Sequence, residues 1–327
     1  MTIFKACDIR GVVGEEWTTH DARRIGGSLA TMLGRRGRSA ICVGGDLRRS
    51  TGPLKVALIE GLVASGARVY DLGQLPTPAA YFGARHIACD SVAIVTASHN
   101  PGRYNGIKFM VGGWPAVPEL VAELRAGLDA ASDSDAVGSV KPCMLGPAYE
   151  QFVVQQSRAM WVADATSPDS SDARRRIRVA LDTMGGTCTS VAPRVLKSAG
   201  YAATCVSPDI DPDFSHRAPN PANDANLGPL IRSLQAARAD VGIALDGDGD
   251  RVVFLDEAAR IVRPEQIAAV LVQYGVPRPT VVYDLKCASL VSRAVQAAGG
   301  TAVMRPRTGT ASLACTSSPF ITRYHRP

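Results

Sequence analysis

The chain has 327 residues, 36 Lys+Arg against 30 Asp+Glu, a formal net charge of +6 and 46% hydrophobic residues. That composition folds and stays soluble, with room for two or three domains of about 100–150 residues each. Gly and Pro are scattered and apolar residues come in short runs, which excludes disordered, collagen-like and coiled-coil classes.

Taken in chain order, short β-branched runs alternate with longer amphipathic stretches, the pattern of an α/β architecture with mostly parallel sheets. The opening, Met1 to Arg10, lacks a basic region followed by an apolar run, and no stretch approaches the ~20 apolar residues of a membrane helix, so a cytoplasmic protein without membrane contact is expected. Strands are expected at Ser39–Gly44, Ala67–Asp71 and Val92–Thr96, with a helix at Pro53–Ser65. The polar stretch Ala165–Arg176, ending in Arg174-Arg175-Arg176, reads as a linker and a domain boundary. A second cycle follows, with a strand at Ile177–Asp182 and a helix at Val191–Ala199, and a third with a strand at Val241–Leu245, a helix at Pro264–Tyr274, a strand at Thr280–Asp284 and a helix at Ser289–Ala298. Thr301–Pro327 carries four Arg and no Asp or Glu, supplies four of the six net charges, and reads as loop or disorder.

The eight cysteines are spread singly without a CxxC pair, which predicts reduced thiols rather than disulfides or a zinc site. The basic surplus invites a nucleic-acid partner, but it is concentrated in the C-terminal stretch and not interleaved with aromatics, so no nucleic-acid binding is expected.

Two loops carry chemistry. Asp246-Gly247-Asp248-Gly249-Asp250-Arg251 follows the apolar run Gly242–Leu245. Three carboxylates spaced by glycines at a strand end can turn their oxygens to one point, which suits a hard divalent cation such as Mg²⁺, and without a cation they repel one another. The other readings are a polar turn and a calcium loop, for which Glu257 falls at the twelfth position, though the strand-like run Val252–Leu255 intervenes. The second loop, Thr96-Ala97-Ser98-His99-Asn100-Pro101, follows Val92–Val95 and presents a serine beside two polar side chains. A hydroxyl is a poor nucleophile unless a base, a metal or phosphorylation alters it, and a serine here also fits a turn or helix cap. Beyond it, Tyr104–Lys108 supplies a lysine whose ordinary reading is a solvated side chain.

Three segments, Phe4–Gly11, Thr96–Pro101 with Tyr104–Lys108, and Asp246–Arg251, resemble in order and spacing the α-D-phosphohexomutases, closest to the bacterial phosphomannomutase/phosphoglucomutase branch. Gly45-Asp46-Leu47-Arg48, Gly73–Pro78, Ala218–Pro221 and Asp284–Cys287 add to the similarity, which covers residues 3 to 309. The resemblance implies tandem α/β/α domains with mixed, mostly parallel sheets, and interconversion of hexose 1-phosphate and hexose 6-phosphate, of mannose or glucose, through a hexose 1,6-bisphosphate. It implies Ser98 as the phosphoserine, Mg²⁺ held by Asp246, Asp248, Asp250 and a phosphate oxygen on Ser98, and Arg10 and Lys108 at the transferring phosphate. Lys108 or His99 would assist proton transfer, and Arg251, Lys286 and Asn100 would bind substrate. Cys7 replaces the aromatic residue usual before Asp-Ile-Arg, which implies loss of a packing contact to the sugar.

By the same resemblance the chain divides into a first domain at 1–157, a second at 158–256, a partial third at 257–311 and a non-family tail at 312–327. Thr310 stands where the family has a substrate-contacting histidine, and neither the Glu-x-Ser-Gly-His sugar loop nor the fourth domain's phosphate cradle follows. The expectation is impaired turnover, because the bisphosphate needs a grip on its distant phosphate, and a shifted reading frame near Gly309 is the expected origin of the tail. A noncatalytic sugar-phosphate-binding or partner-binding remnant is the competing reading.

Overall fold

Val92–Val95 are buried at every position, the pattern of a strand covered on both faces. That strand is central to the first of two α/β units. The computed structural model describes residues 3–129, 138–162, 177–275, 278–284, 287 and 289–305.

The first unit contains β1 (Ile9–Val12), α1 (Thr19–Arg35), β2 (Ala40–Gly45), α2 (Thr51–Ala64), β3 (Arg68–Gln74), α3 (Thr77–His86), β4 (Val92–Val95), β5 (Tyr104–Val111), β6 (Trp114–Pro115), α4 (Pro118–Ala126), β7 (Ser139–Pro142) and α5 (Gly146–Val162). Its sheet runs β1-β5-β4-β2-β3-β7, with β6 beside β5. The β2–β3, β2–β4 and β3–β7 ladders are parallel, and those of β5 with β1, β4 and β6 are antiparallel. The sheet is therefore more evenly mixed than the α/β pattern alone predicts. Strand alternation sends Ile41, Val43, Ala93 and Val95 to a core under α1, α2 and α4. Cys42, Val92 and Ile94 face the other way, to a core under α3. Helices α1 and α2 cross with almost no side chain between them: a methyl group on Gly61 would stand 1.9 Å from the Arg23 carbonyl oxygen.

The second unit contains β8 (Arg178–Asp182), α6 (Ala192–Ala199), β9 (Ala202–Cys205), α7 (Gly228–Ala237), β10 (Val241–Leu245), β11 (Val252–Leu255) and β12 (Ile261–Val262). Its sheet runs β12-β11-β10-β8-β9, parallel on the β10–β8–β9 side and antiparallel beyond. Leu227, Leu230 and Leu234 pack on Ala180 and Ala244 as its core. A third, smaller element follows, with α8 (Pro264–Tyr274), β13 (Thr280–Asp284), α9 (Ser289–Ala297) and β14 (Thr301–Arg305) around Val272, Val291 and Val295.

Strand β14 corrects one expectation. Thr301–Arg305 begins the stretch read as irregular, yet it pairs in parallel with β13 over five residues. Its Thr-Ala-Val-Met run is too short for alternation to show, and the pairing comes from the neighbouring strand. Helix α5 runs past residue 157 to Val162, while the expected linker at Ala165–Arg176 and the chain beyond Arg305 lie outside the described residues. Among the described residues no helix is long and apolar enough to cross a membrane, and the cysteines are free thiols.

Candidate active site

Both chemical loops leave the ends of parallel strands, β4 and β10, where ligand sites of such sheets gather. Thr96 leaves β4 and turns the chain: its hydroxyl accepts the Ser98 N–H at 2.9 Å and donates to Asp46 Oδ2 at 2.7 Å. Ser98 is thereby held at φ +53°, a left-handed conformation uncommon for a serine, with its side chain buried.

The turn is organised by a side chain that sequence reasoning gave no role. Arg48 is fully buried and spreads its guanidinium beneath the serine loop, donating to the carbonyls of Ser98 (2.8 Å), Asn100 (2.7 Å), Pro101 (2.8 Å) and Tyr104 (3.1 Å). Its Nε donates to Asp46 Oδ2 at 3.0 Å, and Asp46 also accepts from the Arg48 N–H and the Thr51 hydroxyl. Burial pushes the Asp46 carboxyl up and the Arg48 guanidinium down, each opposed by the other's charge. The Gly45–Arg48 resemblance was the available signal for this pair.

The acidic loop closes over Ser98 from the second unit. The Ser98 hydroxyl donates to Asp246 Oδ2 at 2.8 Å, and Asp246 Oδ1 accepts the N–H groups of Asp250 and Arg251, both at 3.1 Å. Asp248 is fully buried; its Oδ2 accepts from the Thr77 hydroxyl and from Lys108 Nζ, both at 2.7 Å. Lys108 also reaches Asp250 Oδ2 at 2.5 Å. One oxygen from each of the three aspartates falls within a 4.8 Å cluster. Glu257 cannot join it, because β11 is an antiparallel partner of β10 and carries the chain to the far end of the sheet, which removes the calcium-loop reading.

Charge in the loop is unevenly shared. Burial and the neighbouring carboxylates of Asp248 and Asp250 push Asp246 up to about 7. Burial would also raise Asp248, but the ammonium of Lys108 outweighs it and holds that carboxyl below its ordinary value. Lys108 shows the mirror image: burial lowers it, Asp248 and Asp250 raise it further, and it is held as a charged ammonium rather than the solvated side chain of the ordinary reading.

His99 faces Arg251, whose Nη1 donates to His99 Nδ1 at 2.9 Å. A guanidinium has no acceptor, so Nδ1 carries no proton and the neutral ring keeps its hydrogen on Nε2. Burial, with Arg251 and Arg10 close by, depresses the ring to about 4. Its Nδ1 stands 3.5 Å from the Ser98 hydroxyl. Arg10 donates to Asp8 at 2.6 Å and to Asn100 Oδ1 at 3.2 Å, leaving a buried Nε with no acceptor among the described residues. Arg251 is half exposed, 3.8 Å from Asp250 and 4.0 Å from Asp246. Ser98, His99, Asn100, Arg10, Lys108, Arg251 and the three aspartates thus form one cluster, and Lys286 lies outside the described residues. Thr77, from the Gly73–Pro78 segment, joins them.

The donor set fits a hard cation. It consists of carboxylate oxygens, and Asp248 Oδ1 is buried without a hydrogen-bond partner among the described residues, an atom in want of a positive ligand.

Two family models match this chain. "Phosphoglucomutase/phosphomannomutase, alpha/beta/alpha domain I" matches residues 1–134, and domain II of the same family matches residues 159–259. A phosphomannomutase/phosphoglucomutase of Pseudomonas aeruginosa is 32% identical over 306 residues, covering 93% of this chain and 63% of the relative. A phosphoglucomutase of Neisseria gonorrhoeae is 31% identical over 307 residues, covering 92% and 64%. The crystal structure of a phosphoglucomutase/phosphomannomutase family protein from Burkholderia thailandensis superposes with a TM-score of 0.86 at 30% identity, covering 97% of this chain and 68% of that one. The chain therefore spans a little under two thirds of the curated relatives it matches.

Proposed function

Because the chain belongs to the phosphoglucomutase/phosphomannomutase family, we propose that it interconverts hexose 1-phosphate and hexose 6-phosphate, of glucose or mannose, through a phosphoserine at Ser98. The observation that carries this reading is the Ser98 hydroxyl, 2.8 Å from Asp246 within the carboxylate cluster, although the two residues come from different folding units. Asp246, Asp248 and Asp250 would hold Mg²⁺, which when bound neutralises charge on the transferring phosphoryl group.

Phosphoryl transfer asks mainly for positioning and charge neutralisation. When phospho-Ser98 donates, the bond from phosphorus to Ser98 Oγ breaks and one to a sugar hydroxyl oxygen forms, while the proton of that hydroxyl passes, in net terms, to Ser98 Oγ. The second phosphate of the resulting bisphosphate then returns to Ser98 by the reverse exchange. Lys108, charged and anchored by two carboxylates, suits holding phosphoryl oxygens or giving a proton rather than taking one. Arg10 has its buried Nε free for a phosphoryl oxygen, and Asn100 and Asp8 fix its guanidinium. Neutral His99 faces Oγ and is oriented by Arg251.

A coupled assay of the full chain tests the reading, with glucose 1-phosphate or mannose 1-phosphate, Mg²⁺ and a hexose 1,6-bisphosphate. Turnover is expected, with intact mass showing one phosphoryl group on Ser98. Absence of both turnover and phosphorylation contradicts it.

The raised Asp246 carboxyl gives a pH-dependent signature. Its value in the fold lies above the unfolded 3.8, so the stability it contributes is complete below about 4 and is lost as pH rises through about 7. The ionised Asp246 carboxyl is the form that would hold Mg²⁺, and a bound cation would offset that penalty. Thermal unfolding should therefore show a larger Mg²⁺-induced rise at about pH 8 than at about pH 5; equal rises at both would place the cation elsewhere.

A further inference from the structure

The described loop between β9 and α7 takes no part in the chemistry above, yet it touches both reactive loops. Its backbone is stapled by Asp211, which accepts the Ser215 N–H at 2.7 Å, the Ser215 hydroxyl at 3.1 Å and the Asp213 N–H at 3.2 Å. Those bonds hold Phe214 at φ +48°, a backbone conformation that is strained for a large side chain, with only 7% of its surface exposed. On one side of the ring lies Arg48, with Cζ 4.8 Å from the centroid. All three nitrogens at the rim of that guanidinium are engaged by Asp46 and the carbonyls of the serine loop, so its face is what the ring meets. At the tip of the ring lies the acidic loop. A methyl group on Gly247 would stand 3.1 Å from Phe214 Cζ, 3.1 Å from Pro219 Cγ and 2.6 Å from the Ser98 carbonyl oxygen.

We propose that Phe214 is a positioning residue: its ring is the spacer between the guanidinium that shapes the Ser98 turn and the Gly247 peptide that carries the metal-binding aspartates, and it sets the register of Ser98 against Asp246. The inference rests on the mutase reading of that site. The physical case is one of stiffness and size. An aromatic ring moves on two dihedrals only and has a fixed size and shape, so with its face on Arg48 and its tip toward Gly247 it transmits position between two loops of different units where a flexible aliphatic chain would not. Docking of the units is served separately: the Arg49 N–H donates to the Pro212 carbonyl at 3.2 Å, Arg49 Nε pairs with Asp213 at 2.9 Å, and Gly102 packs against the Asp213 carbonyl, where a methyl group would stand 1.9 Å from the oxygen. Changing Phe214 therefore alters the spacing while the units stay docked.

The test uses the full chain with Phe214→Leu, which is too compliant, and Phe214→Tyr, which keeps the ring but adds a hydroxyl at Cζ, the ring atom nearest Gly247. Leu230→Val, in the buried core of the second unit, serves as a control for destabilisation alone. The rate at which glucose 1,6-bisphosphate phosphorylates Ser98 is followed by intact mass, together with kcat, KM for glucose 1-phosphate and Tm. Both Phe214 variants should lower kcat and the phosphorylation rate by roughly tenfold to a hundredfold, the scale of an ångström-level misplacement. KM should change little, and the control should lose Tm without losing kcat. A wild-type rate in Phe214→Leu, or a rate loss that tracks Tm equally in Leu230→Val, overturns the proposal. A parent chain that is neither phosphorylated nor active overturns the mutase reading itself, and the role of Phe214 falls with it.

Discussion

Ser98→Ala should abolish the proposed mutase turnover, lowering kcat by on the order of 10⁶-fold, the scale seen when a covalent nucleophile is deleted. On the proposed function the variant loses the atom that would carry the phosphoryl group, and no other group in the cluster can substitute. His99 lies too far to share the bond and is neutral with Nδ1 already accepting from Arg251. Lys108 is an ammonium without a lone pair. The backbone turn should survive, because it is held by Arg48 and Thr96 through main-chain groups that alanine keeps. Circular dichroism and Tm close to those of the parent, with no phosphoryl group gained from the bisphosphate, are the expected readouts. Equal rates in the two proteins would contradict the assignment of Ser98.

Arg48→Met should be the most damaging single change to stability, at about 3–5 kcal/mol, the usual cost of removing one partner from a buried ion pair. Methionine nearly matches the length of the arginine stem but leaves Asp46, 1% exposed, as an unpaired buried carboxylate. The carbonyls of Ser98, Asn100, Pro101 and Tyr104 lose their donor at the same time. The Asp46 carboxyl is already pushed up by burial, so the deficit should shrink as pH falls through the carboxylate range and the group becomes neutral. Chemical denaturation gives the magnitude, and the double variant Asp46→Asn with Arg48→Met should lose less than the sum of the two single changes. Simple additivity would mean that the pair does not act as a unit.

The two reactive loops were legible because each is a short polar burst placed directly after an apolar strand, and local sequence suffices to see that. The partners that make them work were not. Asp46 and Arg48 look like ordinary loop residues until carbonyls about 50 residues further along fold back onto them. Thr77 reaches Asp248 across 171 residues of chain. Lys108 resembles any strand lysine until two aspartates of the other unit close on it. Phe214 sits in a run of Asp, Pro, Ser and His that signals a turn and says nothing of the destination of its ring. Strand β14 escaped for a related reason, since five residues carry too little pattern of their own and take their form from β13. What depends on tertiary burial, above all the neutral ring of His99 and the raised Asp246 carboxyl, has no local signal.

The hydrogen bond from Ser98 to Asp246 spans 148 residues of sequence. Helix α5 completes the first unit at Val162, 84 residues before Asp246, so synthesis at about 5–20 residues per second leaves that unit roughly 4–17 seconds before Asp246 is made. Through that interval the serine turn is complete, because Arg48, Asp46 and Thr96 all precede or adjoin it in the chain, but it faces no carboxylates. On the proposed function the nascent first unit carries the Ser98 turn without the carboxylates that would hold a cation, and the site is completed by a late docking event rather than with the folding of the unit that carries Ser98.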